Sequence, residues 1–217
     1  MHKKEILQIA KNNLIGLLDK PGSILYSSHE TLKPGKVYLL GFNPGGSDGK
    51  PIELSIDQIL SSTSNAYLDE SWENKNGTWR KGEAPLQKRI KWILEGIKLN
   101  PRDVCASNLI FFRSRNANDI SFSLAEQCWP VHEAILSIVK PKLIITFGNS
   151  EISPYSFLNS VLGGEEESFP AGHGNWRLKG FNGEINGHPV YVAGLPHLSR
   201  YSPIGKNHVV EWLSEKI

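Results

Sequence analysis

The stretch KVYLLGFNPGG, Lys36 to Gly46, decides the architecture. Val37 to Leu40 is wholly apolar, with Pro34-Gly35 before it and Gly41 after it. A short apolar run without alternation belongs to a strand covered on both faces, as in parallel sheets. Three further segments read the same way: Lys142 to Phe147, Val190 to Ala193, and Val104 to Phe112, apolar except at Ser107 and Asn108.

Helical patterns separate these runs. Ile6, Ile9, Ala10, Leu14, Leu17 and Leu18 form one stripe over Lys3 to Leu18, which Asp19-Lys20-Pro21-Gly22 stops. Pro85 to Leu99 puts Leu86, Ile90, Ile93, Leu94 and Ile97 on one face. Ser123 and Glu126 have capping-box spacing ahead of a helix that ends before Pro141. Asn149 to Leu162 and a segment from about Lys206 complete the set, with one or two helical turns at Ser55 to Leu60. Phe181-Asn182-Gly183 and Asn186-Gly187 are turn sequences that suggest a hairpin leading into Val190. The alternation predicts an α/β fold: one domain over 1–217, a three-layer α/β/α sandwich with a central four-stranded parallel sheet.

Composition narrows the function. The chain has 217 residues, 39% hydrophobic and 21% charged, with 24 Lys+Arg against 22 Asp+Glu. Such a chain buries enough apolar surface to offset its ordering entropy. Two cysteines cannot staple a chain of this length, which points to a reduced, cytoplasmic protein, nucleoid-associated in a prokaryote. His2-Lys3-Lys4 resembles the opening of a secretion signal, but Lys11, Asn12 and Asn13 interrupt the apolar stretch behind it. No apolar run approaches the roughly 20 residues that span a bilayer. A net charge of +2 argues against coating nucleic acid by bulk electrostatics, so contact with it must be local.

Function in such sheets gathers beyond the carboxyl ends of the strands. A phosphate loop fails there, because Pro44 stands where glycine is needed before Gly49-Lys50 and Pro51 replaces the hydroxyl residue. A dinucleotide fingerprint fails at Asn43, no Gly-x-Ser-x-Gly elbow exists, and the seven histidines form no ligand pair. No metal or cofactor is called for. Asn43, Asn108 and His197 remain, each near a different strand end, with Arg113, Arg115 and Arg200 around them. Singly, Asn43 also reads as a turn residue, Asn108 as a satisfied core amide and His197 as a surface histidine.

Together these residues resemble a known family. Gly41-Phe42-Asn43-Pro44-Gly45 is similar to the first motif of the uracil-DNA glycosylase superfamily in its asparagine form, as in the mismatch-specific and single-strand-selective branches. Ala106-Ser107-Asn108-Leu109, running on to Arg113-Ser114-Arg115, resembles the family's base-reading strand, and Pro141 to Gly148 its third strand. His197-Leu198-Ser199-Arg200-Tyr201 is similar to the second motif, with Leu198 in place of the usual proline. The two cysteines separate the chain from the branches that carry an iron-sulfur cluster.

The resemblance implies a monofunctional base-excision enzyme acting on DNA, probing for a flipped, deaminated base, without cofactor or membrane, as a monomer. In that reading Asn43 positions water and His197 stabilises the departing base. Asn108, with Phe42 and Trp79, holds the base; Tyr67 is the second choice of stacking ring. Gly45, Gly46, Arg113, Ser199 and Arg200 contact DNA, and Tyr201 serves as the wedge. Two other classes stay open: the same fold binding nucleic acid or a nucleobase without hydrolysis, and a small-molecule hydrolase or transferase using the glycine-rich loop.

Overall fold

A computed structural model describes residues 3–46, 49–74 and 77–217. His2 of the N-terminal motif, and residues 47, 48, 75 and 76 of the long segment between the first strand and Pro85, lie outside the described residues. In chain order the helices are α1 (Lys3–Asn13), α2 (Ile52–Gln58), α3 (Pro85–Gly96), α4 (Leu124–Val139), α5 (Pro154–Leu162) and α6 (Asn207–Ser214). The strands are β1 (Val37–Gly41), β2 (Glu73–Asn74), β3 (Gly77–Thr78), β4 (Cys105–Asn108), β5 (Leu143–Phe147), β6 (Glu167–Pro170), β7 (Arg177–Ile185) and β8 (His188–Leu195).

The four apolar runs form adjacent parallel strands in the order β4-β1-β5-β8. The sheet is nevertheless six-stranded and mixed, because β7 pairs antiparallel with β8 and β6 with β7. This corrects the expectation of four strands. The β7–β8 hairpin turns at Asn186-Gly187, whose φ values of 52° and 77° suit a tight primed turn. Asn182-Gly183 lies inside β7 instead. A separate two-stranded ribbon, β2 with β3, stands apart from the main sheet.

Two cores share the sheet. Tyr38, Leu40 and Ile144 pack with α1, α2, α4 and α5, while Val37, Leu39, Leu143 and Ile145 pack with α3 and α6. Alternate residues of the same strands therefore feed opposite cores, which is why those strands carry no polar face. The route from β1 to β4 passes through α3 on one face, and the return from β4 to β5 through α4 on the other. A change of direction with a change of face keeps one handedness of crossover. β5 then leads on to β8, so chain direction reverses between β1 and β5. Such a reversal opens a crevice at the carboxyl edge of the sheet.

Local details differ from the sequence expectations for physical reasons. Ser123 has helical φ and ψ (−61°, −20°), and its hydroxyl bonds to Ser121 Oγ at 2.7 Å, so no capping box forms. α5 begins at Pro154, with Ser153 as the cap accepting from Ser156 N at 3.1 Å; the proline starts the helix rather than disturbing it. β4 stops at Asn108 because its partner stops at Gly41. Beyond it, Leu109 N donates to Gly41 O and Ile110 N to Phe42 O, both at 2.9 Å, so the two strand-end loops run on side by side.

Candidate functional site

Those paired loops form one wall of a cleft of about 910 Å³ at the carboxyl edge of the parallel strands. Asn43, Asn108 and His197 all line it, with Phe42, Gly45, Gly46 and Arg113. Three residues separated along the chain are thus brought to one cavity by the order of the strands.

Asn108 ends β4 opposite Gly41 in register. A Cβ on Gly41 would fall inside 3.0 Å of Asn108 Oδ1 and 3.2 Å from its Cγ, so the bare glycine gives the amide its place. Asn108 is only 5% exposed, and its Nδ2 is buried without a hydrogen-bond partner among the described residues. An orphan donor of this kind costs roughly 1–3 kcal/mol. At a cleft wall, such a donor is open to a ligand acceptor, and the Asn108 side chain also lies near enough to the Tyr26 hydroxyl to oppose slightly the rise in that group's pKa. The histidine beneath it fixes the strand end. His132 is fully buried; its Nε2 lies 3.1 Å from Leu109 O, which can only accept, so its Nδ1 accepts from Tyr38 OH at 3.0 Å. Burial lowers its pKa to about 4 and keeps the ring neutral.

Asn43 is oriented by its own amide. Its Nδ2 donates to Ser114 Oγ at 2.8 Å, Pro44 O at 3.0 Å and Phe112 O at 3.2 Å. Ser114 N also donates to Pro44 O, and Gly45 pairs in parallel with Ser114, so the side chain stitches the first loop to the second. Among the described residues no donor is found on Oδ1, which can only accept.

His197 follows β8. Ser199 N donates to His197 Nδ1 at 3.1 Å, and Ser199 Oγ lies 2.7 Å from the same nitrogen. A backbone N–H cannot accept, so Nδ1 is the bare nitrogen and the proton sits on Nε2. His197 keeps an exposed edge, yet the atoms of the cleft around the ring partly desolvate it, and this, then the Arg200 charge, lowers its pKa below the usual 6.5. The histidine is therefore a neutral donor at pH 7. Its loop is held by several contacts: Leu198 is fully buried, Arg89 Nη1 donates to Leu198 O at 2.5 Å, and Arg200 N and Tyr201 N both donate to His197 O.

The remaining sequence candidates separate. Phe42 lines the cleft and stacks at its back on Phe122, with ring centres 6.1 Å apart. Arg113 Nη1 donates to Gly45 O at 2.6 Å, bracing the first loop. Ser199 and Arg200 are exposed beside the cleft, Ser199 holding the histidine tautomer. Trp79 is 40% exposed and does not line the cleft; the rings there are Tyr67, the second choice, with Tyr26, Trp72 and Phe147. Tyr26 and Tyr67 lie 5.8 Å apart, and Tyr67 and Trp72 meet edge-on at 6.1 Å. Tyr201 is no surface wedge, because it is 1% exposed and its hydroxyl donates to Ala171 O at 2.6 Å.

Tyr26, Glu70, Trp72, Phe147 and the supporting His132 escaped the sequence reading. Tyr26 precedes the first strand, and Glu70 and Trp72 lie in the segment without periodicity; Trp72 Nε1 donates to Glu70 Oε2 at 3.1 Å. Phe147 reads as strand core, although as the last residue of β5 it was legible as a strand end. Burial, with Arg113 opposing it, pushes the Tyr26 hydroxyl up to about 12, so the tyrosine wall stays neutral. Among the described residues no three His, Cys, Asp or Glu side chains group as a metal site, and no helix is long and apolar enough to cross a membrane. Neither a scan against protein-family models nor a search of curated proteins finds a match for the chain.

Proposed function

We propose that the protein is a monofunctional DNA glycosylase that hydrolyses the N-glycosidic bond of uracil or a related deaminated base flipped into the cleft. The observation that carries this reading is the buried, unpartnered Asn108 Nδ2 on the wall of a cleft that also holds Asn43 and His197. The resemblance of all three motifs to the uracil-DNA glycosylase superfamily supports it.

The glycosidic carbon is shielded within a duplex, so the base must leave its stack to react. An amide presents one donor and one acceptor side by side, the complement of a carbonyl next to a ring N–H on a pyrimidinedione edge. Asn108 reads that edge while the neutral rings of the cleft exclude water. As the carbon–nitrogen bond breaks, the base departs with the bonding electrons and negative charge gathers on its carbonyl oxygens. The Nε2–H of His197 donates to one of them; a fixed donor of this type is worth roughly 10²–10³ in rate. Asn43 Oδ1 accepts a hydrogen bond from the water that attacks the sugar carbon. An amide cannot remove the water's proton, which passes to solvent or to the departing base.

The test incubates purified protein with single- and double-stranded oligonucleotides carrying one uracil, hypoxanthine, xanthine or thymine, and reads abasic sites as alkaline cleavage. Release of a deaminated base, lost in Asn108→Ala, is the expected result. No release from any substrate would refute the reading. Salt-dependent binding without release would instead identify a nucleic-acid-binding module.

A further inference from the structure

The exposed ring beside the His197 loop is Trp176. β7 runs antiparallel to β8, with Lys179 opposite Gly194, so its first residue lies at the same sheet edge as the cleft. Asn149 Nδ2 fastens the two together by donating to Arg177 O at 2.8 Å and Gly194 O at 2.9 Å. Trp176 precedes Arg177 in a closed turn in which Ala171 N donates to Trp176 O and Trp176 N to His173 O. The indole is 37% exposed and rests on two rings, His173 at 5.0 Å and Tyr201 at 6.2 Å. Tyr201 belongs to the His197 turn and its hydroxyl donates to Ala171 O, so the turn that carries Trp176 and the turn that carries His197 are tied together.

The two turns beside this ring are basic. Residues 171–176 and 197–206 contain no Asp or Glu, and they carry Arg200 and Lys206. Of the three acids at the start of the adjoining strand segment, Glu166 pairs with Lys179 at 3.1 Å and Glu167 with Lys216 at 3.1 Å, and Glu165 is exposed. A pre-positioned indole beside turns that carry cations and no acid is an arrangement that stacks a nucleobase and attracts its phosphates.

We propose that Trp176 is a stacking platform for an unpaired base flanking the target in the same DNA strand, with Arg200 and Lys206 attracting its phosphates. This rests on the glycosylase reading for the identity of the strand in the cleft, but not for the stacking itself. The ring was positioned before any strand arrived, so little ordering cost opposes its contact.

The test titrates a fluorescein-labelled, undamaged single-stranded oligonucleotide and reads anisotropy, while uracil release is measured in parallel. Trp176→Ala is expected to bind about ten-fold more weakly, the effect of losing one stacked base, and Trp176→Phe to stay within about three-fold of wild type. Trp176→Leu keeps apolar bulk without a ring. If the alanine variant fails to fold, weak binding by the leucine variant beside near-wild-type binding by the phenylalanine variant supports the proposal. Equal binding by those two overturns it. Uracil release by the wild type, with binding untouched in Trp176→Ala, overturns the platform and leaves the glycosylase reading standing. Ring-dependent binding without release by the wild type does the reverse. Unchanged binding with a smaller sedimenting species in Trp176→Ala would assign the ring to contact between two copies, and also overturns the platform.

Discussion

Gly41→Ala tests the geometry of the cleft at its tightest point. Gly41 is not among the glycines with positive φ, so alanine meets no backbone penalty there and only the collision matters. The new methyl would fall inside 3.0 Å of Asn108 Oδ1 and 3.2 Å from Cγ, with Phe147 Cδ2 behind it at 3.8 Å. Overpacking of one methyl in a fixed surround costs about 1–3 kcal/mol. For a chain of this size each kcal/mol moves the melting temperature by about 2–4 °C, so a fall of about 4–8 °C is expected for a 2 kcal/mol collision. Asn108→Ala removes both the collision and the orphan donor, and so melts within about 1 kcal/mol of wild type. The double variant then melts with Asn108→Ala rather than below it, a coupling of about 2 kcal/mol. Melts of the four proteins, with uracil release measured on each, complete the cycle. Strict additivity, or an unshifted melt in Gly41→Ala alone, would refute the claim that the bare glycine holds the place open for Asn108.

His197→Ala is expected to slow single-turnover uracil release by roughly 10²–10³ while leaving DNA affinity nearly unchanged, because its donor acts on developing charge. The acid limb of the pH profile should lie below 6.5, since desolvation by the cleft and the Arg200 charge both hold His197 neutral; Arg200→Gln moves that limb upward. His132 gives a stability signature of its own: with a folded pKa of about 4 against 6.5 unfolded, the unfolded chain binds the extra proton between those values. Stability is full above pH 6.5 and falls by about 3 kcal/mol as pH drops to 4, a slope that denaturant titrations should find flattened in His132→Gln. Tyr201→Phe removes the hydroxyl donor to the buried Ala171 carbonyl and lowers stability by about 1–2 kcal/mol by thermal melting.

The strands legible in the sequence are those buried on both faces. Val37 to Leu40, Leu143 to Phe147 and Val190 to Ala193 serve two cores at once, and that demand writes an unbroken apolar run into the chain. The turn at Asn186-Gly187 announced the hairpin that contains β7, but β6 was hidden because it lies at the sheet's edge with Ser168, Phe169 and Pro170 exposed. The capping pattern at Ser123 misled because spacing says nothing of the φ and ψ at which the chain enters a helix. At the site, Asn43, Asn108 and His197 were legible because strand ends collect function. Tyr26, Glu70 and Trp72 were not, since the loops that carry them owe their course to tertiary contacts such as Tyr26 N to Ala106 O at 2.8 Å and Gln87 Nε2 to Ala66 O at 2.8 Å.

Leu198 stands where the resemblance to the glycosylase family would put a proline, and the loop holds its shape by other means. A proline would restrict one φ angle in the unfolded chain and so lower the entropy lost on folding. Leu198 instead secures the turn through burial and through the Arg89 bond to its carbonyl, contacts present only once α3 has packed. The His197 loop is therefore coupled to the α3 face of the sheet rather than stiff in isolation. Its catalytic geometry should be lost with that packing: Arg89→Met, which keeps the apolar stem and removes the donor, is expected to slow uracil release with little change in DNA affinity. Wild-type rates in that variant would mean that the Tyr201 anchor and the turn at His197 suffice.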